Sequence, residues 1–191
     1  GDREPYTLSR ILARHLAVWM TYEDAIRVAD LKTCAARFRR IEAEHRAPAG
    51  QLVVTDYLKP DLDEIYGILP YRLVRPLAAW AERRWPRGRP TLGQRVKITT
   101  VSGFLRVWLL ARLRRLRPIS YRAHHEHALM AEWLGAVERA ARLDYGLACE
   151  VAGAAQLVKG YGEVRRRMVE AFRALLAAVA TAAPVDPGAA R

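Results

Sequence analysis

The residues best equipped for chemistry gather around a glycine pair, in Lys159-Gly160-Tyr161-Gly162-Glu163-Val164-Arg165, with Arg166 and Arg167 just beyond. An amine, a phenol, a carboxylate and several guanidiniums so close together could hold a phosphate or a carboxylate. Glycine accepts positive φ and close backbone approach, so a Lys-Gly-Tyr-Gly turn can present the Lys159 amine and the Tyr161 hydroxyl at a helix C-terminus. Asp30 and Lys32 interrupt the margins of an apolar stripe upstream, and they are the groups that could join Lys159, Tyr161, Glu163 and Arg165 on one concave surface. The plainer reading is a helix corner with Tyr161 packed inward and the charges in structural ion pairs. It carries more weight, because a glycine pair outside a phosphate-loop context has little specificity and ion-pair networks also bring charges together.

His124, His125 and His127, with Glu126 and Glu132 nearby, are the densest metal-capable group. His124 and His127 share a helix face at i, i+3 and could supply two ligands of one zinc or iron, with the others coming from elsewhere. Solvated histidines on a helix face account for the spacing more simply. Cys34 and Cys149 show neither CxxC nor Cys/His spacing, which argues against zinc, an iron–sulfur cluster or a disulfide framework. A reducing, cytoplasmic setting follows as the expectation.

These residues need elements to carry them, and apolar periodicity supplies helices. Thr7 or Ser9 can cap a first helix. Thr21, with Asp24 three residues on, opens a second from Tyr22 to about His45. Pro60, followed by Asp61, Asp63 and Glu64, starts a short helix, and Tyr71 to Trp85 forms another with Leu73, Leu77, Trp80 and Ala81 facing inward. Ser102 caps a helix from Gly103 to about Leu116, Ser120 one from Tyr121 to Leu143, and Asp144 one toward Lys159; the last runs from Glu163 to about Ala180. The segments Leu52 to Thr55 and Ile98 to Val101 make at most one short ladder. The expectation is an all-α fold, an orthogonal bundle of seven to eight helices with at most one short β-hairpin. Residues 1–181 form a single helical domain and 182–191 a disordered tail. No internal repeat is present.

The chain has 191 residues, 51% of them hydrophobic, enough for one core. Its net charge of +12 invites an anionic partner, and 28 of the 32 basic residues are arginines. A charge excess spread over a surface steers anions without defining a site. No apolar run approaches the roughly 20 residues of a membrane span, and the N-terminus lacks signal-peptide character. Beginning with Gly rather than Met, the sequence reads as a domain cut from a longer polypeptide. The segment Phe104 to Arg117 is the best candidate for membrane or nucleic-acid contact, being both basic and apolar. Its apolar residues fill more than one stripe, however, which is the mark of a core helix whose arginine stems reach out to water.

Four strings, Asp24 to Thr33, Val54 to Pro60, Thr99 to Leu105 and Val158 to Glu163, together resemble the C-terminal helical region of the beta subunit of indolepyruvate ferredoxin oxidoreductases. The resemblance spans roughly Tyr22 to Phe172. It implies a piece of a 2-oxoacid:ferredoxin oxidoreductase, which decarboxylates a 2-oxoacid with thiamine diphosphate and magnesium and passes electrons through iron–sulfur clusters to ferredoxin, forming an acyl-CoA. This chain shows no thiamine-binding motif, cluster cysteines or Rossmann-like fingerprint, so those cofactors are expected on other domains. Glu163-Val164-Arg165 also stands where close relatives of that family would have Asp-Thr-His. The expected role is a non-catalytic module that supports subunit assembly or docks ferredoxin. Alternatives are a site for an anionic ligand such as a CoA phosphate at Lys159 to Arg167, and nucleic-acid binding by charge alone.

Overall fold

The computed structural model describes residues 6–22, 24–46, 48, 50–86 and 88–181; the tail expected at 182–191 lies outside them. Among the described residues the chain forms nine α-helices, two 3-10 segments and one two-stranded antiparallel sheet, an all-α fold with a short hairpin. It divides into two compact units, one drawn from Gly1–Tyr22 and His125–Arg191, the other from Glu23–His124. None of the described helices is long and apolar enough to cross a membrane.

The discontinuous unit contains α1 (Thr7–Met20), most of α7 (Tyr121–Leu143), α8 (Tyr145–Gly153) and α9 (Gly162–Thr181). Its core is an aromatic cluster in which Trp19 meets Trp133 and Phe172, each at 5.8 Å between ring centroids, within a shell of alanines, valines and leucines. Alanine at 136, 140, 148 and 152 leaves no side-chain bulk between helices, so the backbones approach closely around the large rings. The Trp133 indole donates to Val151 O at 3.0 Å, which removes the cost of burying its N–H. Asp144 caps α8 as expected, accepting from Leu147 N, but that helix ends at Gly153 and continues as a 3-10 turn, Ala154–Leu157. Neither Thr7 nor Ser9 caps α1. Tyr6 stands at its start with φ 66°, and the Leu8 N–H is satisfied by the Tyr145 hydroxyl instead.

The contiguous unit holds α2 (Ala25–Thr33), α3 (Ala35–His45), β1 (Thr55–Leu58), α4 (Leu62–Gly67), α5 (Tyr71–Arg84), β2 (Gln94–Lys97) and α6 (Val101–Arg112), then the 3-10 segment Leu113–Ile119 and the first turn of α7. The helix expected from Tyr22 to His45 is two helices, which raises the count from seven or eight to nine. The break is at Cys34, whose backbone is extended. Thr33 turns its hydroxyl back to Ala29 O, and Arg37 donates to Lys32 O, so the last carbonyls of α2 are satisfied without continuing the helix. Asp24 rather than Thr21 is the N-cap of α2, accepting from Arg27 N at 2.7 Å.

The hairpin pairs Asp56 with Val96 and Tyr57 with Arg95, three residues later on the first strand and about four earlier on the second than expected. Residues after Ile98 are drawn into a turn because Thr100, not Ser102, caps α6, accepting from Gly103 N and donating to Lys97 O. On α5 the inward stripe is Val74, Ala78 and Ala81, while Leu73, Leu77 and Trp80 are exposed. The two apolar stripes lie side by side on that helix, and the smaller residues are the ones that fit against Tyr66 and Tyr121. Asp61 and Glu64 form a reciprocal capping box at the start of α4, with Pro60 left outside the helix.

Gly103 is where the backbone comes closest. A Cβ there would lie 2.1 Å from Lys97 O. Gly103→Ala should therefore destabilise by about 2 kcal/mol or more, read as a lower denaturant midpoint, whereas Gly93→Ala, which would meet nothing within 4 Å, should leave the midpoint nearly unchanged.

Candidate functional site

The Lys-Gly-Tyr-Gly turn is a corner between the 3-10 turn and α9. Gly160 and Gly162 take φ of 86° and 54°, as a chain reversal in the left-handed region requires. A side chain at Gly160 would also press on Val164 Cγ1 at 3.0 Å. Lys159 is exposed, and Tyr161 is half exposed rather than packed inward. Glu163 is paired with Arg166 at 2.9 Å.

Arg165 turns the other way. Its NH2 donates to Glu126 Oε1 at 2.6 Å, and its side chain is 13% exposed. Glu126 is buried, and Trp19 Nε1 donates to Oε2 at 2.8 Å, so both carboxylate oxygens are met. The sequence sets this carboxylate beside the histidines, yet its spacing also marks it as a structural anchor. It precedes the buried Met130 and Trp133 by four and seven residues, placing an acid on the core stripe of α7. Of the four turn residues, one is thus committed to the core, and the acid nearest it in sequence is committed to Arg166.

Asp30 and Lys32 belong to the contiguous unit and are engaged within it. Asp30 pairs with Arg27 at 2.8 Å, both half exposed. Lys32 Nζ and Arg37 NH2 lie 2.7 and 2.8 Å from Asp56 Oδ1, and Arg37 NH1 reaches Oδ2 at 3.2 Å. Burial works to raise the pKa of Asp56, but the Lys32 and Arg37 hydrogen bonds and charges outweigh it and hold the carboxyl below its ordinary value. The acid therefore ties β1 to α2 and α3 at once.

Two further groupings were not anticipated. Asp30 lines a shallow cleft of about 210 Å³ with Ile26, Arg27, Arg114 and Arg117. Arg117 Nε is held by Asp24 at 2.7 Å, and Arg114 is exposed with no ion pair among the described residues. The second grouping lies between α4 and the segment before β2, where the Tyr66 hydroxyl donates to Asp63 and Arg89 Nε lies 2.8 Å from the same carboxylate. Burial and Asp63 push the Tyr66 phenol far above its ordinary pKa, and burial with Glu82 takes Tyr121 to about 12. Burial and Asp61 likewise raise Glu64. Phenols held so firmly protonated are donors and packing surfaces, not bases. Tyr121 meets Tyr66 edge-on at 5.4 Å, and Tyr71 stacks on His124 at 3.7 Å.

That stacking engages one of the two histidines considered as metal ligands, and His127 is exposed. Among the described residues no group of three or more His, Cys, Asp or Glu is placed to hold a metal ion.

Arg165→Met would leave the Glu126 carboxylate buried without its cation, and should lower stability by about 3–5 kcal/mol. Lys159→Met, at an exposed position, should stay within about 0.5 kcal/mol; urea midpoints of the two variants separate an anchor from a bystander. For Asp56 the folded pKa is depressed, so its contribution is full above the unfolded value and is lost as pH falls through the folded one. Asp56→Asn should therefore lower stability at neutral pH and flatten the acid limb of the stability profile. Glu64 contributes with opposite sign, since its raised pKa favours the protonated fold and its contribution fades as pH rises.

No curated protein and no solved structure matches the chain. A family model described as a family of unknown function, DUF6537, matches residues 1–178. Because that match covers most of the chain, including both units, the chain is a member of the family of unknown function DUF6537.

Proposed function

We propose that this chain is a non-catalytic helical module of an indolepyruvate or other 2-oxoacid:ferredoxin oxidoreductase, supporting subunit assembly or docking an acidic carrier such as ferredoxin. The observation that carries this reading is where the charges lie. Asp56, Asp61 and Glu126 are buried, and Asp24 is held by Arg117, so these four of the 20 acidic residues serve the fold. Arg72, Arg75, Arg106, Arg114 and Arg115 are exposed without an ion pair among the described residues. Lys32, Arg37, Arg117 and Arg165 match those four acids in number, so the surface keeps the net charge of +12, which would steer an acidic protein toward it.

The strings that carry the resemblance support the non-catalytic side. Asp24 caps α2, Lys32 and Asp56 brace the hairpin, Thr100 and Gly103 shape the start of α6, and Gly160 turns the chain into α9. Each of these residues has a folding reason, and none needs a substrate to explain it. Thiamine diphosphate with magnesium and the iron–sulfur clusters belong, on this reading, to other domains or subunits. The residues here do not fit a cluster: the only cysteines, Cys34 and Cys149, fall in different units, and a cluster takes four ligands. A CoA phosphate at Lys159 to Arg167 is less favoured, since Arg165 and Arg166 are already paired with Glu126 and Glu163.

Titration of the chain with ferredoxin at low ionic strength should show binding that weakens steeply as salt is added. The same chain should show no thermal shift with CoA and no preference for random duplex DNA over ferredoxin. Tight, salt-insensitive CoA binding, or no ferredoxin binding at low salt, would remove the docking role.

A further inference from the structure

Helix α6 is apolar on two sides, and only one of them is used by the fold. Gly103 is buried, and Val107 and Ala111 belong to the buried cluster that includes Ala29, Val96 and Ile98. On the outer side Val101, Leu105 and Leu109, spaced at i, i+4 and i+8, are 86%, 48% and 52% exposed. Isolated apolar residues on a surface need no explanation, whereas three in line along two helical turns do. Trp108 stands beside this line, half-buried, with the Arg112 guanidinium carbon 4.3 Å from its ring centroid. From Val101 to Ile119 there is no acidic residue, and Arg106, Arg112, Arg114 and Arg115 are all exposed. None of these four has an ion-pair partner among the described residues.

We propose that the outer face of α6, with the arginines of the following 3-10 segment, is a docking surface for an acidic protein that brings an apolar ridge framed by Asp and Glu side chains. The proposal rests on the docking role above and adds to it a location and an apolar centre. Aliphatic residues at the middle of a patch and tryptophan and arginine as anchors are what protein partners select, with charges at the rim setting approach and register. Charge complementarity selects the acidic partner, since unpaired guanidiniums occur along the helix and just after it. A bilayer fits less well. Arg112 lies over Trp108 in the stripe itself, so inserting the stripe would carry a guanidinium toward hydrocarbon, where it has no counter-charge. Nucleic acid fits less well too, because phosphates make no use of aliphatic side chains and Trp108 is already covered by Arg112.

The test uses the full chain with ferredoxin as probe, alongside mixed phosphatidylserine–phosphatidylcholine vesicles and random duplex DNA. The double variant Leu105→Ser, Leu109→Ser removes the apolar centre at exposed positions. Arg112→Glu reverses the anchor charge, and Arg139→Glu, on the exposed face of α7, is the charge-matched control; unchanged circular dichroism and urea midpoints establish that all three fold. We expect the serine variant to weaken ferredoxin binding about tenfold or more with its salt dependence retained, Arg112→Glu at least as much, and Arg139→Glu less than about twofold. Equal losses from Arg112→Glu and Arg139→Glu, with none from the serine variant, would overturn the located surface and leave the docking role standing on diffuse charge. No binding by the unaltered chain would overturn both. Vesicle or DNA binding that the serine variant abolishes, in place of ferredoxin binding, would assign the face to that partner and overturn the proposal.

Discussion

A carboxylate taken out of water must be met by a cation or by donors, and much of this structure is arranged around that demand. Asp56 enters the contiguous unit on the first strand and is met by Lys32 and Arg37 from two different helices. The two cations come from either side of the break at Cys34, so the pair of bonds joins α2 and α3 to the strand. Glu126 makes the same demand in the other unit, where an indole and a guanidinium answer it from the first and last helices. In each unit a buried acid draws together parts of the chain that are far apart in sequence, and apolar packing then fills the space around it.

The arginines divide into two populations as a result. Arg37, Arg117 and Arg165 are constrained by carboxylates and act as struts, whereas those at 72, 75, 106, 114 and 115 are exposed with no ion pair among the described residues. Arg89 stands between the two classes, nearly buried, its Nε close to Asp63 as an ion pair but, like NH1, without a well-aligned hydrogen bond among the described residues. Net charge alone would have assigned all of these to one role. Exposure and pairing separate them into two roles.

Helices were largely readable from the sequence because long apolar periodicity and capping side chains are local signals. Asp61 with Glu64, Ser120 and Asp144 mark helix starts that the structure keeps. What could not be read locally was settled by partners distant in sequence. The break at Cys34 stands where Lys32 and Arg37 meet Asp56, and no propensity at residues 30–36 announces it. On α5, Leu73, Leu77 and Trp80 compete with Val74, Ala78 and Ala81 for the inside, and only the room left by Tyr66 and Tyr121 decides in favour of the smaller set. The polar residues of the glycine turn were visible as a group, yet the group is divided by direction: Arg165 faces the core and Lys159 faces water.

The division of the chain into a contiguous and a discontinuous unit bears on the order in which they can form. Everything in Glu23–His124 is available once His124 has left the ribosome, so that unit can close on itself while the remainder is still being made. The other unit must wait. Trp19, its central ring, is synthesised early, but the Glu126 that accepts its indole proton lies 107 residues later and Phe172 follows later still. Through that interval the first helix carries an apolar stripe with no core to receive it, a burden of vectorial synthesis that a rearranged gene beginning near residue 125 would not impose.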